Sequence, residues 1–347
     1  MNGGRAVPEV ATAHAASIAG GGVLAIEHRQ HRQRVIALAL LTIALLVLPL
    51  GLNNYTQFVV NTMLVYCLVA LGFNVIIGYL GQLAFASAAF FGVGAYATGL
   101  SMARLGLPFP VAILVGAASG AIVGGLVGLP ALRVRGHYLA IITLAVGELL
   151  RWCYVHMDSV TYGPGGFTLP PMQIMGSPLT DRTKYYVFLL CAAIAVGMTS
   201  MLLRSRFGRS FAAVRNNEQA AASLGIAVRR AKVLAFAWSG LIVGLAGALF
   251  AVLNGRVSPE SFGLAQVLFH FAIVMIGGLA SVLGSILGAV LLTGAPELLR
   301  NFPGSEEIVF SLLLILVLFF MPRGLSGLLS DHFPFLRERL YRGGRDA

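Results

Sequence analysis

The sequence is poor in charge. Asp, Glu, Lys and Arg make up 11% of its 347 residues, whereas 58% of the positions are hydrophobic. Soluble globular domains carry charge at about a quarter of their positions. Apolar segments of about 20 residues, the length that crosses a bilayer, recur with short connections between them. The composition argues against a soluble protein and predicts an all-α, polytopic transmembrane helical bundle.

Lysine and catalytic motifs are also scarce. The two lysines, Lys184 and Lys232, do not follow a glycine, so no GxxxxGK[ST] phosphate-binding loop occurs. HExxH, GxSxG and paired CxxC motifs are missing as well. The three cysteines, Cys67, Cys153 and Cys191, are an odd number and lie in predicted spans, which argues against a disulfide framework. The sequence therefore predicts no catalytic residue, no metal site and no ATP hydrolysis by this chain itself.

Membrane topology follows from the placement of positive charge. Ten spans are predicted, at 35–52, 57–77, 83–103, 110–130, 138–157, 185–203, 233–254, 266–280, 283–298 and 308–321. Splitting the apolar region 267–293 near residues 277–281 places both tails and the loops 131–137 and 204–232 on one side. That side then carries 18 Lys and Arg against 6 Asp and Glu, and the other side carries 5 of each. The positive-inside rule assigns the basic side to the cytoplasm.

Three regions follow from this topology. We expect a mobile cytoplasmic tail at 1–34, a transmembrane permease domain at 35–321 and a cytoplasmic tail at 322–347. The first apolar run begins too late and is too long for a cleaved signal peptide. The two halves of the split region have about 15 residues each, too few to cross unaided at 1.5 Å per residue. Some spans are therefore expected to be short, tilted or re-entrant.

Small residues recur every four positions in two spans, which places them on one helix face and predicts close helix packing. They are Gly116, Gly120, Gly124 and Gly128 in the fourth span, and Gly240, Gly244 and Ala248 in the seventh.

Polar residues lie in or next to four other predicted spans. Asn74, Gln82 and Ser87 lie in a glycine-rich stretch, where they either line a transport pathway or accompany a tight turn. Glu148 and Arg151 are three residues apart, so they share a helix face and are expected to pair, as a structural pair or as part of a pathway lining. His270 is expected to bond to a carbonyl oxygen, and a place in the pathway is the alternative.

The basic loop 204–232 contains a short capped helix. Asn216 is predicted to cap it, with Glu218 in its first turn and Gly225 ending it about eight residues later. Such a helix is unstable alone, so it is expected to pack against residues 207–214 or against a partner. The alanines Ala220, Ala221 and Ala222 give it a small face, and Leu224 and Ile226 add apolar contact surface.

The capped helix resembles the loop of ABC-importer permeases that docks into the ATPase subunit. Glu218, Ala220, Ala221 and Gly225 match that family's Glu-Ala-Ala-x-x-x-Gly pattern in order, with one extra residue after the glutamate. The segments GYLGQLAFASAAFFGVGAY, VRGHYLAIITLAVGELLR, RSRFGRSFAAVRNNEQAAASLGI, GGLASVLGSILGA and FFMPRGLSGLL are similar to the inner-membrane permeases for branched-chain amino acids.

The resemblance implies a multi-pass subunit of a bacterial inner-membrane importer. Its implied partners are a second, related permease, two cytoplasmic ATPase subunits that bind ATP and Mg, and an external substrate-binding protein, with no cofactor on this chain. The implied docking residues are Arg215, Asn216, Asn217, Glu218, Ala220, Ala221, Leu224, Gly225 and Ile226. Leucine, isoleucine and valine are the implied substrates, and urea or short amides are an alternative. An ion-coupled transporter or channel remains a rival of a different class.

Overall fold

The computed structural model describes residues 43–134, 136–171, 173–174, 177–299 and 324–327, and the regular structure of this part is almost entirely helical. The chain divides into two units, 1–52 and 53–347. The described part of the first unit contains a 3-10 helix at Leu48–Leu50. Residues 35–42 of the predicted first span 35–52, all of the predicted tenth span 308–321, and the tails 1–34 and 322–347 except 324–327 lie outside the described residues.

Apolar helices make up the described part of the second unit. In chain order they are α1 (Asn54–Asn74), α2 (Ser87–Leu105), α3 (Phe109–Gly128), α4 (His137–His156), α5 (Asp158–Thr161), α6 (Asp181–Arg204), α7 (Arg206–Asn216), α8 (Glu218–Ser223), α9 (Val228–Asn254), α10 (Leu264–Gly277) and α11 (Val282–Leu299). A π-helical turn, Val75–Tyr79, continues α1. Five described helices are long and apolar enough to cross a membrane, at Asn54–Tyr79, Phe109–Leu132, His137–His156, Asp181–Arg204 and Val228–Asn254. The predicted all-α transmembrane fold is confirmed.

The third predicted span begins later than expected. Residues 81–86 have no helical structure, and α2 starts at Ser87 rather than at residue 83. Gly81 has a φ of +73°, a left-handed conformation that interrupts a right-handed helix. The backbone N–H of Phe85 donates instead to Thr143 Oγ1 of α4 at 2.8 Å. A side chain of a neighbouring helix thus supplies the partner that a longer helix would have supplied.

Helix α9 lies against α2 and α3 at the centre of this unit. A Cβ atom built on Gly120 would lie 2.3 Å from the carbonyl oxygen of Gly240, and one built on Gly94 would lie 2.0 Å from that of Gly244. No other residue type fits such a close backbone approach. The glycine faces predicted from the sequence do pack tightly against each other.

Helices α10 and α11 form the hairpin that the charge asymmetry predicts. Gly278 and Ala280 take positive φ values of +115° and +57°, which reverse the chain between the two helices. A Cβ atom on Gly277 would lie 2.1 Å from the carbonyl oxygen of Gly284, so the two helices approach closely. With 14 residues, α10 is about 21 Å long, shorter than the ~30 Å hydrocarbon core. The predicted split near residues 277–281 is confirmed.

The second unit has two distinct ends. One, the loop end, carries the 3-10 turn Pro130–Leu132 and residues 204–232, because Lys232 Nζ lies within hydrogen-bond distance of the Ala131 carbonyl oxygen. At the far end, strands β1 (Phe167–Thr168) and β4 (Arg256–Val257) pair antiparallel. Two further two-residue strands, β2 (Gln173–Ile174) and β3 (Ser177–Pro178), also pair antiparallel. These four short strands add a little sheet to the otherwise helical fold.

Candidate docking surface and transport pathway

Helix α7 anchors the basic loop to the bundle. Ser205 caps its start, and the Ser205 Oγ accepts a hydrogen bond from the backbone N–H of Phe207 at 3.1 Å. Phe211 and Val214 are buried on the inner face of the helix. The loop therefore leaves α6 as an ordered helix rather than as a free tether.

The cap of α8 is Asn217, and the prediction of Asn216 is wrong by one residue. Asn217 Oδ1 accepts hydrogen bonds from the backbone N–H groups of Gln219 and Ala220, at 2.9 and 3.0 Å. Asn217 has the extended backbone that a cap requires, whereas Asn216 is still the last residue of α7. The resulting helix has six residues rather than about eight.

The end of α8 agrees with the prediction for Gly225. The N–H of Ile226 donates to the carbonyl oxygen of Ala221, and the N–H of Gly225 donates to that of Ala222. This is the Schellman arrangement, in which the residue after the cap adopts a left-handed conformation. Gly225 has a φ of +81°, which suits glycine far better than any β-branched residue.

A buried ion pair joins α8 to α9. Lys232 Nζ lies 3.0 Å from Glu218 Oε1, and the Lys232 side chain is fully buried while that of Glu218 is 20% exposed. Lys232 also donates to the Ala131 carbonyl oxygen at 3.3 Å. The pair is not evident from the sequence, where the one signal is a lysine at the start of an apolar span.

The outward side of α8 is small and apolar. Ala220 and Ala222 are exposed, and Leu224 is 81% exposed. Ala221 is buried, so it packs inward and does not belong to the exposed face that the sequence suggests. Ile226 is half-buried against the core. We call the exposed residues Ala220, Ala222 and Leu224 the loop surface. Exposed arginines precede and follow it in the chain, namely Arg206, Arg209, Arg215, Arg229 and Arg230.

Asn74, one of the predicted pathway residues, clamps the α10–α11 turn. Its Oδ1 accepts from the backbone N–H of Ala280 at 2.9 Å, and its Nδ2 lies 2.8 Å from Ser285 Oγ and 3.1 Å from the Ser281 carbonyl oxygen. The side chain is almost fully buried. Its observed contacts all hold the turn, and its predicted part in transport stays a prediction.

Ser87 lies in a buried polar chain. Ser87 Oγ is 3.2 Å from His270 Nδ1, His270 Nε2 is 2.9 Å from Gln266 Nε2, and Gln266 donates to the Tyr66 hydroxyl at 3.1 Å. The chain joins α1, α2 and α10. His270 therefore bonds to side chains rather than to the carbonyl oxygen that the sequence suggests. The partners lie far apart in the sequence, so no local pattern reveals this chain.

Gln82 and the pair Glu148–Arg151 occupy different places. Gln82 precedes α2 at the loop end, and its half-buried side chain has no hydrogen-bond partner for Oε1 among the described residues. Arg151 Nε donates to Glu148 Oε2 at 2.8 Å on the outside of α4, which confirms the predicted pair. The five predicted pathway residues are thus not brought together into one site.

The long apolar helices, the glycine-packed core and the membrane-depth hairpin define a polytopic α-helical membrane protein. Residues 55–322 match the family described as the branched-chain amino acid transport system permease component, and the chain belongs to this family.

Individual relatives agree. The high-affinity branched-chain amino acid transport system permease protein LivM of Escherichia coli K12 is 32% identical over 326 residues, covering 87% of this chain and 76% of the relative. LivM of Salmonella typhimurium LT2 is 34% identical with the same coverage. The corresponding permease protein BraD of Pseudomonas aeruginosa PAO1 is 27% identical and covers 79% of this chain and 96% of BraD. No solved structure matches the chain.

Proposed function

We propose that this protein is the membrane-spanning permease subunit of an ATP-driven importer that moves branched-chain amino acids, or related small neutral or zwitterionic solutes, into the cytoplasm. Family membership and the named transport systems of the relatives support this. The observation that carries the proposal within this chain is the loop surface. Its helix is fixed to the bundle by buried Ala221 and by the Glu218–Lys232 pair, while Leu224 remains exposed.

The loop surface has the construction of a docking element. A six-residue helix is too short to persist alone in water. Here it is capped at both ends and tied by Glu218 to a fully buried lysine. Its front presents Leu224, an apolar side chain that costs free energy while it faces water. A cleft on a soluble subunit would remove Leu224 from water.

The ATPase subunits are the occupants that we assign to this surface. They bring ATP and Mg, and their closure on ATP moves the docked helix as a rigid body and switches access across the membrane. The Glu218–Lys232 contact passes this motion directly to α9, the helix at the centre of the bundle. The exposed arginines before and after the loop surface in the chain supply complementary charge for acidic groups on the partner.

The complete assembly has further parts in this proposal. A second, related permease completes the pathway, and an external binding protein delivers the substrate. The chain lies in the bacterial inner membrane with both termini and the loop 204–232 in the cytoplasm, as the positive-inside rule requires.

Purification and uptake test the proposal together. Affinity purification of this chain in mild detergent is expected to bring ATPase subunits along, and leucine uptake into vesicles is expected to require ATP. Uptake that persists without ATP, with no ATPase subunit in the purified complex, would contradict it. ATP-dependent uptake of urea or acetamide but not of leucine would instead identify the short-amide alternative.

An ion-coupled transporter has less support. Proton or sodium coupling usually relies on carboxylates inside the bundle. Within the described spans, Glu148 is paired with Arg151, and Glu297 accepts a hydrogen bond from the Tyr55 hydroxyl. Glu148 is thus neutralised by an arginine and Glu297 already accepts a hydrogen bond, so neither is the isolated carboxylate that ion coupling usually employs.

A further inference from the structure

Helix α4 has two unlike flanks. Leu144, Glu148, Arg151 and Val155 are spaced four, three and four residues apart, so they share one flank. Ile142, Val146, Leu149 and Cys153 have the same spacing and form the other flank, which is entirely apolar. We call these the charged flank and the apolar flank. One side of this helix suits lipid, and the other does not.

The charged flank lies at membrane depth, and its two charged side chains are partly exposed. Glu148 lies about 16 Å along the axis from the helix start and about 12 Å from its end, at 1.5 Å per residue. Even so, the side chains of Arg151 and Glu148 remain 41% and 42% exposed. Charged side chains at this depth face a water-filled cavity or protein rather than lipid.

Other described segments lie against α4 near the pair and toward the loop end. Arg151 passes beside Gly263, which has no side chain to cover it, just before α10 begins. Toward the loop end, Phe85 contacts α4 through Thr143 and α10 through Phe271, whose ring centroid is 5.4 Å from that of Phe85. Arg151 thus lies next to a residue without a side chain, whereas toward the loop end the aromatic pair Phe85 and Phe271 lies beside α4.

We propose that Glu148 and Arg151 form a binding step of the transport pathway for a zwitterionic α-amino acid. This inference rests on the import function proposed above. Arg151 takes the carboxylate through its planar guanidinium, which matches a carboxylate with two parallel hydrogen bonds. Glu148 takes the ammonium group. Because the two side chains neutralise each other in the empty state, the pathway carries no net charge there, and a zwitterion adds none.

The geometry fits this class of ligand. The Glu148 carboxylate and the Arg151 guanidinium lie 2.8 Å apart, and an α-amino acid carries its ammonium and carboxylate groups on the same carbon atom. A zwitterion can therefore lie antiparallel to the pair, with each charge against its opposite. The apolar neighbours Leu144 and Val155, one turn away on either side, suit an aliphatic side chain.

Thiol accessibility tests the flank directly. In the complete transporter, with Cys67, Cys153 and Cys191 replaced by alanine, single cysteines are introduced as Leu144→Cys on the charged flank and Leu149→Cys on the apolar flank. Because a charged thiosulfonate reagent is excluded from lipid, we expect it to label Leu144→Cys at least about tenfold faster. Leucine at ten times its half-saturating concentration should slow that labelling by about tenfold through site occupancy. Arg151→Gln in the same background should remove the protection.

Uptake kinetics provide an independent test in the natural-cysteine background. Arg151→Gln should raise KM for ATP-driven leucine uptake by about tenfold or more, because it removes hydrogen bonds to a charged group. Asp181→Asn is the matched control, since Asp181 and Lys184 form the other described pair of this spacing, at 3.1 Å. The control should leave KM unchanged.

The outcomes separate the two proposals. Equal labelling of both flanks, or an unchanged KM for Arg151→Gln, overturns the binding step even if ATP-driven leucine uptake persists. Protection by acetamide but not by leucine overturns the zwitterion assignment. Loss of ATP dependence refutes the importer itself, because that result does not depend on either flank.

Discussion

Two acid–base pairs in this protein differ in how deeply they are buried and in whether they join two helices or lie within one. Glu218 and Lys232 join two separate helices, and the lysine is fully buried. Glu148 and Arg151 belong to one helix, and each side chain keeps about two fifths of its surface exposed. The first pair fixes the position of a surface element. The second fixes very little, so both its members stay available to a ligand.

The difference follows from electrostatics. Breaking a buried pair leaves an uncompensated charge away from water, which costs several kcal/mol. A solvent-exposed pair contributes about 0–1 kcal/mol, because water replaces each partner at little cost. We therefore expect substitutions at the first pair to disorder the loop and substitutions at the second to alter substrate handling alone.

The largest effect is expected for Lys232→Met. The substitution leaves the Glu218 carboxylate against a buried apolar side chain and should destabilise the loop by about 3 kcal/mol, the lower end for buried pairs because Glu218 is partly exposed. Hydrogen exchange of residues 217–226 should accelerate by about 100-fold as a result. Lys184→Met, at the only other lysine, is the control and should leave this exchange unchanged. Equal exchange in both variants would contradict the role of the buried pair.

A smaller effect is expected for Gly225→Val. A Cβ atom at Gly225 meets nothing within 4 Å, so the substitution acts only through the backbone. At a φ of +81°, a β-branched residue should cost about 1–2 kcal/mol. ATP hydrolysis should then become uncoupled from uptake, while insertion into the membrane is unchanged. Asparagine tolerates a left-handed backbone, so Gly225→Asn should keep most of the coupling. Full coupling in the valine variant would contradict a role for the end of α8 in coupling.

Removal of the cap should have an effect of about 1 kcal/mol. Asn217→Ala leaves the N–H groups of Gln219 and Ala220 without their acceptor. Hydrogen exchange at these two amides should rise by about fivefold, in line with that free energy. Asn216→Ala is the matched control, because this neighbour makes no cap, and it should change the two amides far less. A larger effect at Asn216 would restore the assignment suggested by the sequence.

The smallest effect on stability is expected for Arg151→Gln. The pair it breaks is exposed and lies within one helix, so the loss should be below about 1 kcal/mol. Thermal unfolding of the detergent-solubilised complex and hydrogen exchange of the loop should both be unchanged. A large loss of stability would show that the exposed pair is structural after all.

The sequence predicts well those features that depend on local spacing. The glycine faces, the helix end at Gly225 and the Glu148–Arg151 pair each follow from residues within one or two turns of each other. The cap position is wrong by one residue because it depends on where α7 ends, and α7 includes Asn216. The start of α2 depends in the same way on a hydrogen bond to another helix.

Contacts between distant segments could not be predicted from the sequence. Lys232 meets Glu218 and Ala131, and His270 meets Ser87, only because the helices pack as they do. The inward turn of Ala221 likewise depends on which side of α8 faces the bundle. A lysine at the start of an apolar span indicates that Lys232 needs a partner, but nothing in the sequence identifies which one.

The central claim is that the loop surface binds the ATPase subunit. A photo-crosslinking amino acid placed at Leu224, in the assembled transporter, tests this claim most directly. Leu105 is the matched control, because it is 72% exposed but lies at the end of α2 away from the loop. The account predicts a covalent adduct with the ATPase subunit from position 224 and none from position 105. No adduct from position 224, or equal adducts from both positions, would contradict it.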